Sequence, residues 1–134
     1  MHTTTDIQEI IYVSTLAADA PIRVVADIAA KSRCTNRRLE ITGLLVFDGL
    51  HFCQQLEGGA QELTTLMTRI RKDPRHTNVA VLHHGPLDKR RFWSFSLGYT
   101  LAEDIEALER LRQLQGQAAV DAFVALLSGL DVDG

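Results

Sequence analysis

Cysteine is scarce in this chain: Cys34 and Cys53 are the only two in 134 residues, and they form no C-x-x-C pair. Two are too few for a disulfide framework, so the expectation is a pair of reduced thiols in a cytoplasmic protein. Charge of one sign is also scarce. Fourteen basic against 17 acidic side chains leave a net charge of −3, which marks neither a nucleic-acid nor an anionic-membrane partner. No stretch approaches the roughly 20 apolar residues of a membrane span. The opening "MHTTTDIQEIIYVSTLAADA" has no Lys, no Arg and no long apolar run, unlike a signal peptide. Signatures of turnover are missing too: no Ser–His–Asp set, metal cluster or phosphate loop is visible. His83 and His84 are neighbours, and neighbouring strand residues face opposite sides, so they do not chelate together. Neither an enzyme nor a metal site is expected.

What is present is a hydrophobic fraction of 46%, enough for one core in a chain of this length. "IQEIIYVSTL" (7–16) reads as a strand, and a helix over about 22–35 follows, with Asp19 as N-cap and Pro21 near its first turn. "ITGLLVFDGLHFCQQLEG" (41–58) reads as a hairpin turning at Asp48-Gly49. A second helix over 60–73 buries Leu63, Leu66, Met67 and Ile70, with Arg69 and Asp73 four apart along its edge. "NVAVLHH" (78–84) is a strand, a turn is expected at Gly85-Pro86, and "FWSFSLGYT" (92–100) is a fifth strand. Two short amphipathic helices close the chain. The first buries Ile105, Leu108 and Leu111; the second, past Gly116, buries Val120, Phe123, Val124 and Leu127.

The order predicts an α+β fold: a ferredoxin-like βαββαβ(β) sheet with two helices on one face, the first and third strands adjacent, and two additional C-terminal helices. Residues 1–100 form the main unit. Residues 101–134 form a helical cap, packed on the bare face of the sheet or on a partner.

Strand alternation puts Phe52, Gln54 and Leu56 on one face, and Cys53, Gln55 and Glu57 on the other. Gln54 is out of place on a helix-covered face, because a buried amide left unbonded costs about 1–3 kcal/mol. Tyr12, which shares a face with Ile10 and Ser14, can meet part of that need. Ser32 and Asn36 end the apolar stripe of the first helix. With Arg69, Asp73, Gln54 and Tyr12 they outline a slot with aliphatic walls, suited to a flat heteroaromatic with amide-like edges. Each residue also has a plainer role: a left-handed helix end at Asn36, a surface ion pair of Arg69 with Asp73, a satisfied core pair of Tyr12 with Gln54, and a helix stop at "DPRH" (73–76).

Taken together, "YVS" (12–14), "NRRLEITGLL" (36–45), "FCQQLEG" (52–58), "DPRH" (73–76) and "RRF" (90–92) resemble the BLUF family, blue-light sensors that use FAD. The resemblance spans roughly residues 10 to 98. It implies that Tyr12 is the photochemical tyrosine and Gln54 the glutamine between it and the flavin. It implies flavin contacts for Ser32, Asn36, Arg38, Arg69 and Asp73, and places Arg75 and His76 toward the cofactor's tail. Gln55 is expected on the opposite face.

The sequence departs from the family pattern in the fifth strand. A W-x-M arrangement is common there, whereas Phe95 and Leu97 fall at those positions with Trp93 two residues early. Thr35 also replaces a larger polar residue. The signal-transmitting role of Trp93, Phe95 and Leu97 is thereby open, and a lit state of unusual lifetime is expected. Output is expected through a partner protein or a homo-oligomer. The alternative is a flavin-free, ferredoxin-like protein-interaction module.

Overall fold

The computed structural model describes residues 6–92, 98–102 and 106–128. Its elements are β1 (Ile7–Leu16), α1 (Val24–Arg38), β2 (Thr42–Phe47), β3 (His51–Gly59), α2 (Ala60–Lys72), β4 (His76–Leu87), β5 (Gly98–Leu101), α3 (Ala107–Arg112) and α4 (Gln117–Leu127). They build a five-stranded sheet in the order β4-β1-β3-β2-β5. β1 and β3 are adjacent, as the split βαβ pattern requires, and β5 alone runs parallel to its neighbour, β2.

The β2–β3 turn forms where the sequence places it. Asp48 Oδ1 accepts from the backbone N–H of Leu50 and His51 at 2.9 and 2.6 Å, and Gly49 supplies a φ of 100°. An acceptor side chain followed by a residue free to turn left-handed is what so short a connection needs.

Helix α1 starts and stops later than its periodicity implies. Its N-cap is Arg23, with no side-chain cap bond, and Asp19 lies in the turn before it. At the other end Asn36 is inside the helix; Glu40, with a φ of 57°, takes the left-handed position instead. The Asn36 carbonyl then accepts the Ile41 N–H at 2.8 Å, which turns the chain into β2. Helix α2 ends at Lys72 with Asp73 as its C-cap, directly before Pro74, so the "DPRH" stop operates as read.

No turn occurs at Gly85-Pro86. β4 continues to Leu87, and Pro86 pairs with Gln8. A proline is better tolerated there because β4 is an edge strand, with one of its two sides unpaired.

The two faces of the sheet bury different cores. Under α1 and α2 lie Tyr12, Leu56, Leu63 and Met67 in one cluster, and Val25, Ala29, Leu45 and Phe52 in another. The opposite face buries Ile11, Val13, Leu44, Val46 and Cys53 against Leu108, Leu111, Val120 and Phe123 of α3 and α4. The terminal helices therefore cover the sheet themselves. Val124 is exposed rather than buried, because Ala119, Val120 and Phe123 take the inward stripe of α4. Ile105 and Trp93, Phe95 and Leu97 lie outside the described residues.

Candidate functional site

The β1–β3 register sets Tyr12 opposite Gln54, and the phenol donates its hydrogen bond to Gln54 Oε1. Both side chains are buried. Burial pushes the Tyr12 phenol well above its ordinary range, with the neighbouring Cys53 and Asp73 adding to the effect. Tyr12 is thus a neutral donor at any ordinary pH.

These two groups sit at the floor of a cavity lined also by Ser32 and Ile28 of α1, Leu45, Phe52, Ile70, Asp73 and His76. Of the residues singled out in the sequence, the structure brings Tyr12, Gln54, Ser32, Asp73 and His76 to this one place. His76 Nδ1 lies 2.9 Å from Ser14 Oγ, and its ring meets Phe52 edge-on at 6.0 Å. Burial lowers the His76 pKa, with the Asp73 charge opposing, so the neutral ring is favoured.

The rest fall elsewhere. Asp73 does not pair with Arg69; Arg75 Nη2 and Nε reach Asp73 at 2.6 to 3.1 Å instead. The helix ends between positions 69 and 73, and the turn folds Arg75 back onto the carboxylate. The Arg75 guanidinium holds the Asp73 carboxyl below its usual range. Arg69 and Arg38 are exposed, and Asn36 is fully buried within α1 without lining the cavity. Arg75 does not line it either, being turned to Asp73.

Sequence reasoning did not assign the walls. Leu45 stands directly across from Gln54 in the β2–β3 register, and Phe52 precedes Gln54 by two on the same strand face. Alternation alone could have named Phe52. Leu45 needed the register.

The donor set suits a flavin. A hydroxyl, an amide with a donor and an acceptor end, a carboxylate and an imidazole converge between apolar walls, the combination that reads the polar edge of a flat ring. The cavity itself measures about 40 Å³, less than a tricyclic ring occupies.

The family described as sensors of blue-light using FAD matches residues 7–98. The chain belongs to the BLUF family. As a BLUF protein it is a blue-light photoreceptor that binds FAD. Among its relatives is the blue light- and temperature-regulated antirepressor BluF of Escherichia coli, 32% identical over 83 residues, covering 62% of this chain and 21% of that protein. A photoactivated adenylate cyclase subunit beta of Euglena longa is 39% identical over 69 residues, covering 49% of this chain and 8% of the cyclase subunit. The chain therefore spans about a fifth or less of these relatives.

Among solved structures, the dark state of BlrB, a BLUF protein, superposes with a TM-score of 0.78 at 29% identity, over 93% of this chain and 97% of that one. BlsA in its photo-activated state shares the fold with a TM-score of 0.80 at 22% identity, over 96% and 99%. The matched family is described as one of sensors, and the match to the cyclase subunit covers only 8% of that protein. Among the described residues no group of three or more His, Cys, Asp or Glu is placed to hold a metal. No described helix is long and apolar enough to cross a membrane.

Proposed function

We propose that Tyr12 and Gln54 are the photochemical pair of this BLUF protein. The observation that carries the reading is the buried hydrogen bond from the Tyr12 hydroxyl to Gln54 Oε1 at the floor of the cavity. Bound flavin, excited by blue light, supplies a strong oxidant there. Tyr12 gives up an electron, and its proton has an acceptor already in place at Gln54 Oε1. When the electron returns, Tyr12 is restored and only the hydrogen bonds of the Gln54 amide have changed, by rotation or by tautomerisation. An amide can store such a change because its two ends differ, one donating and one accepting.

Ser32, Asp73 and His76 hold the ring in this reading, with Ile28 and Ile70 as its apolar cover. Asn36, Arg38, Arg69 and Arg75, outside the cavity, meet the remaining edge and tail of the cofactor. Residues 1–100 act as the sensor and 101–134 as its helical cap. Output passes through another protein or a homo-oligomer, in the cytoplasm. Relatives named for repressor control and for cyclase activity support a sensor that serves different effectors.

The test is optical. Purified protein carrying FAD is yellow, and its absorption moves to the red under blue light. Tyr12→Phe abolishes that movement. Colourless protein after reconstitution with FAD, or a red shift that survives in Tyr12→Phe, overturns the reading.

A further inference from the structure

Directly behind Gln54, on the cap side of the sheet, lies a polar cluster that the photochemistry does not use. The register that pairs Tyr12 with Gln54 also sets Glu9 opposite Glu57. Both carboxylates are buried, at 1% and 0% exposure, and like charges facing each other across a strand pair repel. Gln55 lies between them. Its Nε2 donates to Glu9 Oε2 and to Glu57 Oε2, each at 2.9 Å.

The carboxylates in turn hold the chain segment that leads toward β5. Glu57 accepts from the backbone N–H of Arg91 at 2.9 Å and of Phe92 at 2.8 Å, and from Thr42 Oγ1 at 2.8 Å. Glu9 accepts from Arg91 Nε at 2.7 Å and Nη2 at 3.3 Å. Among the described residues, Glu57 is the acceptor for both of these amides.

One atom in the cluster is out of balance. Gln55 Oε1 is buried and has no hydrogen-bond partner among the described residues. The amide is thus tied at its donor end alone, whereas each carboxylate also accepts from groups outside the bridge. On the other side of β3, Gly43 presses so closely that a Cβ there would lie 2.0 Å from the Gln55 carbonyl oxygen.

We propose that Gln55 is a positioning residue that couples the hydrogen-bond state of Gln54 to the 90–92 segment. Resting on the photosensor reading above, the coupling runs through the strand backbone the two glutamines share, into Gln55, and through Glu57 and Glu9 to the amides of Arg91 and Phe92. The bistable element is the grip of Glu57 on those two amides: firm when Gln55 bridges both carboxylates, looser when the bridge shifts. The signal thus crosses the sheet from face to face, without needing a side chain of β5 to touch the cavity.

The test uses the full chain with FAD bound and reads two things separately. The red shift under blue light reports the cavity. Hydrogen exchange at the amides of Arg91 and Phe92, dark against illuminated, reports the segment. Wild-type protein is expected to show the red shift and a change of at least about threefold in exchange at both amides. Gln55→Met, which fills the same volume but cannot bridge carboxylates, is expected to keep the red shift and lose the light dependence of exchange. Light-dependent exchange that persists in Gln55→Met overturns the coupling, as does its absence in wild type that shifts normally. A wild type without a red shift sinks the photosensor reading itself. Should Gln55→Met not fold, Glu57→Gln replaces it: faster exchange at both amides in the dark and a reduced response to light are expected, and a full wild-type response overturns the proposal.

Discussion

Gln54 and Leu45 face each other across β2 and β3, while Tyr12 faces Gln54 from the β1 side, so the amide is bracketed by an apolar wall and a phenol. With one flank unable to bond, the Tyr12 hydroxyl is the donor from which Gln54 Oε1 accepts. Tyr12→Phe leaves Gln54 Oε1 without this donor, and a buried acceptor deprived of its partner costs about 1–3 kcal/mol. A melting temperature lowered by a few degrees, together with loss of the red shift, is the expected pair of results. Differential scanning calorimetry and visible absorption on one sample check both.

Gly43 is the second sensitive point. Its φ of 157° and the 2.0 Å approach to the Gln55 carbonyl leave no room for a methyl group against rigid backbone. Gly43→Ala is expected to cost about 3 kcal/mol, at the upper end of overpacking penalties. Urea unfolding followed by circular dichroism measures it. A loss under about half a kcal/mol would show that β2 can give way.

Acid should act through Glu9. Burial works against its charge, but hydrogen bonds from Arg91 and Gln55 outweigh that, and its pKa falls below the ordinary 4.5. A folded pKa below the unfolded one means the unfolded chain binds more protons in between. The stabilisation is then complete above about 4.5 and is lost as pH falls through the lowered value. Glu9→Gln removes this contribution, so its stability at neutral pH drops while its further decline in acid is shallower than wild type. Thermal melts across the acid range decide it; parallel curves would contradict it.

Phe123 tests whether the cap and sheet unfold together. It is fully buried in the cluster that joins α4 to β1, β2 and β3. Phe123→Ala is expected to destabilise by about 3–5 kcal/mol as a single shifted transition. Two separate transitions would mean that the terminal helices detach on their own.

The succession of elements and the hairpin were legible because they rest on local signals: alternation in 7–16 and 41–58, and an Asp-Gly turn between apolar runs. The inward face of Gln54 was legible for the same reason. Helix ends were less so. Nothing in the residue types favours Glu40 over Asn36 as the left-handed position; the β2 entry, through the Ile41 N–H, decides it. The extension of β4 through Pro86 depends on that strand lying at the sheet edge, a fact of topology. The exchange of Arg69 for Arg75 as partner of Asp73 follows from a two-residue backbone turn in which Asp73 Oδ1 accepts the Arg75 N–H at 2.9 Å. Glu9 as the acceptor for Arg91, 82 positions away, is a long-range contact that no local pattern announces.

The two thiols differ in a useful way. Cys34 is exposed on α1, whereas Cys53 is sealed in the cluster beneath Phe123, and burial raises its pKa far above that of a reactive thiol. An alkylating reagent therefore labels the first at once and the second only when the cluster around Phe123 opens. The chain carries, without any engineering, both a clock for that opening and the internal standard against which to read it.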